Sequence, residues 1–164
     1  MKIRLLLAAI ALAFSSATAS AANFTQNITI TGDAASFGQA HVGTAGAFTD
    51  TYFFTGITGA YNVNLALFSF GINAAQNIDF TSVFLNGNAL DVSNVGFLST
   101  AATPTDILTN SPFTLVVNGV AGRNASYSGN INVAAVVPEP KSYSLMLAGL
   151  CLVGFAVRRR KNMV

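Results

Sequence analysis

"AFTDTYFFT", residues 47–55, is a dense run of β-formers with one acid at its centre. Read with period two, it sets Phe48, Asp50 and Tyr52 on one side of a strand. If the two aromatics face a core, Asp50 faces it too. A buried carboxylate must be hydrogen-bonded or paired. The expected role for Asp50 is therefore structural, either capping turn amides or pairing with Arg123, the only cation between residues 22 and 137. Ligand binding is the alternative.

The same period extends outward from this run. "NFTQNITIT" (23–31) places Phe24, Ile28 and Ile30 on one face, and Gly32-Asp33 then turns the chain. "YNVNLALFSF" (61–70) sends Tyr61, Val63, Leu65 and Leu67 one way, with a slip of phase expected at Phe68. "NIDFTSVFLNGNAL" (77–90) alternates Ile78, Phe80, Ser82 and Phe84 against Asp79, Thr81, Val83 and Leu85. Asn86-Gly87 follows, a strong hairpin signal. "FTLVVNGV" (113–120) and "SYSGNINVAAV" (126–136) flank "AGRNA" and read as a terminal hairpin, with Tyr127, Ile131 and Val133 on its apolar face. Residues 31–47 are rich in Gly and Ala and read as a long loop. Residues 94–111 leave room for a helical turn around Thr105 to Leu108. Several short strands separated by turn residues predict an all-β fold, an antiparallel β-sandwich or jelly-roll-like domain.

Both ends differ from this middle. Lys2 and Arg4 precede an apolar stretch from Leu5 to Phe14, and the small-residue sites Ala17-Thr18-Ala19 and Ala19-Ser20-Ala21 follow. That order predicts a signal peptide over residues 1–21, with cleavage near 19–22 by signal peptidase. The domain expected to fold by itself is residues 22–137, with 138–164 as a separate tail. Between 22 and 137 there are five Asp, no Glu, one Arg and no Lys, a net charge of −4. The whole-chain +2 therefore comes from the ends. No basic patch remains to neutralise phosphates, which excludes nucleic acid as a partner. The single cysteine, Cys151, lies in the tail, so the domain has no disulfide, thiolate zinc site or cysteine nucleophile. Its stability must come from burial, and it holds eleven Phe and three Tyr for that purpose.

The tail reads "VPEPKSYSLMLAGLCLVGFAVRRRK", residues 137–161. Residues 142–157 carry no charge, which as a helix is about 24 Å against the ~30 Å hydrocarbon core. Arg158, Arg159, Arg160 and Lys161 can snorkel to close that gap, and a single transmembrane helix over 142–157 is expected. Length alone leaves a buried core helix open, but four like charges abutting it argue against that. The order Pro138-Glu139-Pro140, apolar helix, basic cluster resembles the PEP-CTERM sorting signal of Gram-negative bacteria. The resemblance implies that Pro138, Glu139 and Pro140 are the element recognised by an exosortase, that 142–157 is a transient inner-membrane anchor, and that 158–161 is the stop-transfer signal. It also implies a cell-surface or extracellular destination in an exopolysaccharide or biofilm layer. "FTDTYFF" is further similar to the FxDxF group of such proteins, with Phe48 and Asp50 matching and Tyr52 standing for the second Phe.

No catalytic set stands out. His41 is the only histidine, and a Ser36-His41-Asp50 set can be drawn on paper without a G-x-S-x-G elbow to support it. Five scattered Asp offer hard oxygen donors for one structural calcium but form no D-x-D-x-D-G loop. No cofactor is expected. The reading is a non-enzymatic surface or matrix protein with an adhesive or structural role. Asn/Thr-rich faces with exposed aromatics make a carbohydrate-binding module the alternative, and a small secreted hydrolase is third.

Overall fold

The computed structural model describes residues 21–136 and 142–161. Residues 21–136 are all-β, in two sheets. Sheet A runs β1 (Phe24–Thr29), β3 (Gly46–Thr55), β10 (Phe113–Ala121), β5 (Ile78–Leu85) and β6 (Asn88–Ala89) in spatial order. Sheet B runs β2 (Ala34–Val42), β11 (Asn124–Ala135), β4 (Ala60–Phe70), β8 (Leu98–Ala102) and β7 (Asp91–Val95), with β9 (Ile107–Asn110) also paired to β4. A helix, α1, spans Ser142–Lys161. Residues 1–20 of the expected signal peptide (1–21), and Pro138, Glu139 and Pro140, lie outside the described residues.

The inward rows of the two sheets face each other across one apolar core. Tyr52, Phe54, Phe80, Leu85, Phe113 and Leu115 enter it from sheet A. Phe37, Val63, Leu65, Leu67, Ile131 and Val133 enter it from sheet B. Rings meet across the gap: Phe37 of β2 lies 5.1 Å from Tyr52 and 5.6 Å from Phe54, centroid to centroid. This is the expected sandwich, with one exception to antiparallel pairing. β1 and β3 are parallel, Phe24 opposite Asp50, because the Gly32-Asp33 turn sends the chain across to sheet B as β2 before it returns.

Five local expectations change. Residues 34–42 are a strand, not part of a loop: Phe37 and His41 point inward, and β2 pairs with β11 from Val42↔Asn124 to Ala34↔Asn132. β4 keeps its phase to the end, so Ser69 is buried while Phe68 and Phe70 face solvent. The slip falls instead in β5. A bulge opposite Asn118 and Gly119 turns Val83 and Leu85 inward together with Ile78 and Phe80. β10 and β11 do not pair as a hairpin, because the chain changes sheets between them. Residues 94–111 hold strands, and the short helical turn lies at Ala74–Gln76, capped by Asn73. The Asn86-Gly87 hairpin stands as expected, with φ of 47° and 83°, the left-handed pair that a two-residue turn with matching twist requires.

β6 pairs only with Phe84 and Leu85, which leaves the rest of this β5 edge to satisfy. The side chain of Asn94, on β7, docks onto Phe80 of β5: its Oδ1 accepts from Phe80 N at 3.2 Å and its Nδ2 donates to Phe80 O at 2.9 Å. One amide thus replaces a missing strand rung and ties the sheets together at this margin. Asn94→Ala strips both partners from Phe80, and urea unfolding should show a loss of about 1–3 kcal/mol.

Candidate functional site

Asp50 sits at the centre of β3, fully buried. Its Oδ1 accepts from the Phe24 backbone N–H at 3.0 Å, across the parallel β1–β3 pair. Its Oδ2 meets His41 Nε2 at 3.0 Å and Tyr127 Oη at 2.7 Å. Tyr127 Oη is in turn 2.8 Å from Tyr52 Oη. The constellation draws on β1 and β3 of sheet A and on β2 and β11 of sheet B. It is a polar pin through the sandwich.

The hydrogen positions follow from donor counting. Asp50, as a carboxylate, only accepts. Tyr127 must then spend its one O–H on Asp50, so Tyr52 donates to the Tyr127 oxygen. His41 must carry its hydrogen on Nε2. The chain therefore runs from Tyr52 to Tyr127 to Asp50, with His41 and the Phe24 amide closing the acceptor's shell. Aromatic rings wall it off: Phe48 lies tilted against His41 at 4.2 Å, and Phe80 meets Tyr127 edge-on at 5.7 Å. Burial pushes the Tyr52 hydroxyl up to about 12, and the nearby Asp50 charge adds to this. Burial pushes Tyr127 further the same way, with Tyr52 and Asp50 reinforcing it. Both phenols are fixed as neutral donors, which is what a structural relay needs and the reverse of what an activated base needs.

The partner of Asp50 is His41 and not Arg123. Arg123 lies exposed in the connection that changes sheets. The drawn Ser36-His41-Asp50 set does not assemble. His41 and Asp50 meet in the core, while Ser36, five residues before His41, points to the outer face of sheet B, where Asn130 Nδ2 approaches its Oγ at 3.4 Å. Phe48, Asp50 and Tyr52 do share one inward row. Among the described residues, no group of three or more His, Cys, Asp or Glu gathers as a metal site. The pin could have been anticipated from "SFGQAHV" (36–42), whose Phe37 and His41 keep strand parity across the glycine.

The tail is built differently. Leu145, Met146, Leu147, Leu150, Leu152 and Val153 of α1 are 61–72% exposed. Apolar residues left in the open exclude a core helix. Arg158, where the uncharged run ends, is exposed too. Residues 136–161 match the PEP-CTERM protein-sorting motif. The PEP-CTERM motif begins at Val136, whose N–H still bonds to Ala60 O at 3.3 Å, and ends at Lys161 with α1. It marks the chain as an exosortase substrate, exported to the surface or the extracellular space. Among the described residues no helix is long and apolar enough to cross a membrane. The expected span over 142–157 lies within the α1 helix. No curated protein matches the chain. Among solved structures, the pre-peptidase C-terminal domain of collagenase from Bacillus anthracis is similar over 67% of this chain and 94% of that one, with TM-score 0.34 and 10% identity.

Proposed function

We propose that this chain is a secreted surface or extracellular-matrix protein with a non-enzymatic, adhesive or structural role in an exopolysaccharide or biofilm layer of a Gram-negative bacterium. The observation that carries the reading is the PEP-CTERM motif joined to a domain whose only histidine is sealed inside it. His41 is 4% exposed and Asp50 0%. A general base needs to reach a substrate proton, so their enclosure supports a structural over a hydrolytic role. Membership of the FxDxF group, through Phe48, Asp50 and Tyr52, belongs to the same proposal. Exposed Phe68 and Phe70 favour the carbohydrate-binding alternative, taken up below.

Export begins with the N-terminal signal peptide, whose cleavage is expected near residues 19–22. Ala21 is 3% exposed, and its N–H donates to Ala47 O at 3.0 Å. Cleavage after Ala21 would remove this buried residue from the sandwich. Cleavage after Ala19 retains it, so the mature chain starts at Ser20. At the other end, Pro138, Glu139 and Pro140 present the tail to the exosortase. The apolar run and Arg158 to Lys161 hold it at the inner membrane until then.

Cell fractionation tests the route. The wild-type protein should appear in the surface or extracellular fraction. A variant carrying Pro138→Ala, Glu139→Ala and Pro140→Ala should accumulate with the membranes. If that variant reaches the outside as the wild type does, the sorting reading fails.

A further inference from the structure

The two outer faces of the sandwich use their polar groups differently. On sheet A, Thr49 Oγ1 donates to Asn118 Oδ1 at 2.8 Å, and Asn118 Nδ2 donates to Ser82 Oγ at 3.1 Å. Those groups satisfy one another. On sheet B, Ser126 and Ser128 are exposed, and their hydroxyls bond to no described residue. They stand beside two phenyl rings that the alternation of β4 forces outward. Phe68 is 55% exposed and Phe70 67%. Ser128 is in register with Phe68, and Thr100 flanks Phe68 on the other side.

Phe68 also divides two depressions. One, of about 340 Å³, is lined by Ser36, Ala66, Ser128 and Asn130 beside the ring. The other, of about 170 Å³, lies between Phe68 and Phe70 over Ser126 and Ser128. Neither depression is lined by an Asp, Glu, Lys, Arg or His side chain, and the Tyr127 hydroxyl is turned into the core toward Asp50. A charged polymer finds no counter-charge there. A purely apolar partner, or a second copy seated through its phenyls, would bury idle hydroxyls without partners, which costs free energy. A neutral partner that brings both C–H surface and hydroxyl groups fits. Pyranose rings do this: their C–H faces meet the negative face of an aromatic ring, and their hydroxyls pair with serine and amide groups.

We propose that the outer face of sheet B around Phe68 and Phe70 binds a neutral polysaccharide, the two rings stacking on sugar faces while Ser126, Ser128 and Asn130 hydrogen-bond its hydroxyls. This rests on the surface-protein reading and names the ligand class of that surface. The test is affinity electrophoresis of the exported protein through gels containing dextran, xylan, galactomannan or a β-glucan, with alginate as the anionic control. At least one neutral polymer should retard the protein, and alginate should not. Phe68→Ala and Phe70→Ala should each weaken retardation roughly tenfold or more. Phe53→Ala, on the sheet A face, should leave it unchanged. Both Phe68→Ala and Phe70→Ala remove exposed rings, and a thermal melt confirms that each variant is folded. Four outcomes overturn the proposal: no retardation by any neutral polymer, retardation by alginate alone, retardation that both variants keep, or a dimer in sedimentation that they dissolve without any sugar binding. Surface localisation is scored on the same cells, so a failure of sorting is seen separately from a failure of binding.

Discussion

Asp50→Ala should lower the unfolding free energy by about 3–5 kcal/mol, since each buried donor left without an acceptor costs about 1–3 kcal/mol. Three donors lose their acceptor at once: the Phe24 amide, His41 Nε2 and the Tyr127 hydroxyl. His41 and Tyr127 cannot turn to water, since each is 4% exposed. A typical domain is stable by about 5–15 kcal/mol, so the loss is a large part of the whole. Asp50→Asn keeps the shape and one acceptor oxygen, and should cost visibly less. Equilibrium urea unfolding of the exported protein reads both. A change below 1 kcal/mol for Asp50→Ala would mean that the pin holds nothing.

The polarity of the hydrogen-bond chain makes a second large difference. Tyr127→Phe removes one donor to Asp50, which keeps His41 and the Phe24 amide, and leaves the buried Tyr52 hydroxyl without its acceptor; it should cost about 2–3 kcal/mol. Tyr52→Phe removes only the terminal donor and should cost about 1 kcal/mol. Equal costs would contradict the assigned direction. The same two phenols govern alkaline stability. Tyr52 is raised from 10.0 to about 12, and Tyr127 is raised as well. The folded state therefore holds protons that the unfolded state releases above pH 10. Stability is complete below that pH and falls as pH climbs toward the folded value, by about 1.4 kcal/mol per unit for each phenol. Tyr52→Phe should flatten the fall between pH 10 and 12.

Strands with unbroken alternation were legible from the residues alone. β3 is the clearest, and its parity placed Asp50 in the core before any partner was known. What stayed hidden were events that parity cannot carry. The bulge in β5 depends on Gly119 of a strand more than 35 residues away. A Cβ there would meet Asp79 O at 2.8 Å and the Phe48 ring at 2.9 Å, so the close approach requires glycine, and the resulting offset reverses the second half of β5. β2 was masked by its small residues, since Ala and Gly signal neither face. β10 and β11 look like a hairpin because short connections usually join neighbours. Here Gly122 packs so closely against Ala74 and Ala75 that the chain is turned toward the other sheet. The His41–Asp50–Tyr127–Tyr52 pin needed all of these placements, so its partners were not readable one strand at a time. Outward Phe68 and Phe70 hide the unbroken phase of β4, because phenylalanine does not by itself mark which face of a strand is buried. The sorting motif of the tail was legible because its signal is composition and order, which do not depend on packing.

The most direct test of the central claim is the intact mass of the protein recovered from the outside of its own cells. A sorted and processed chain has lost the segment beyond Pro138 to Lys141 and begins at Ser20. An extracellular form that still ends at Val164 would contradict the account.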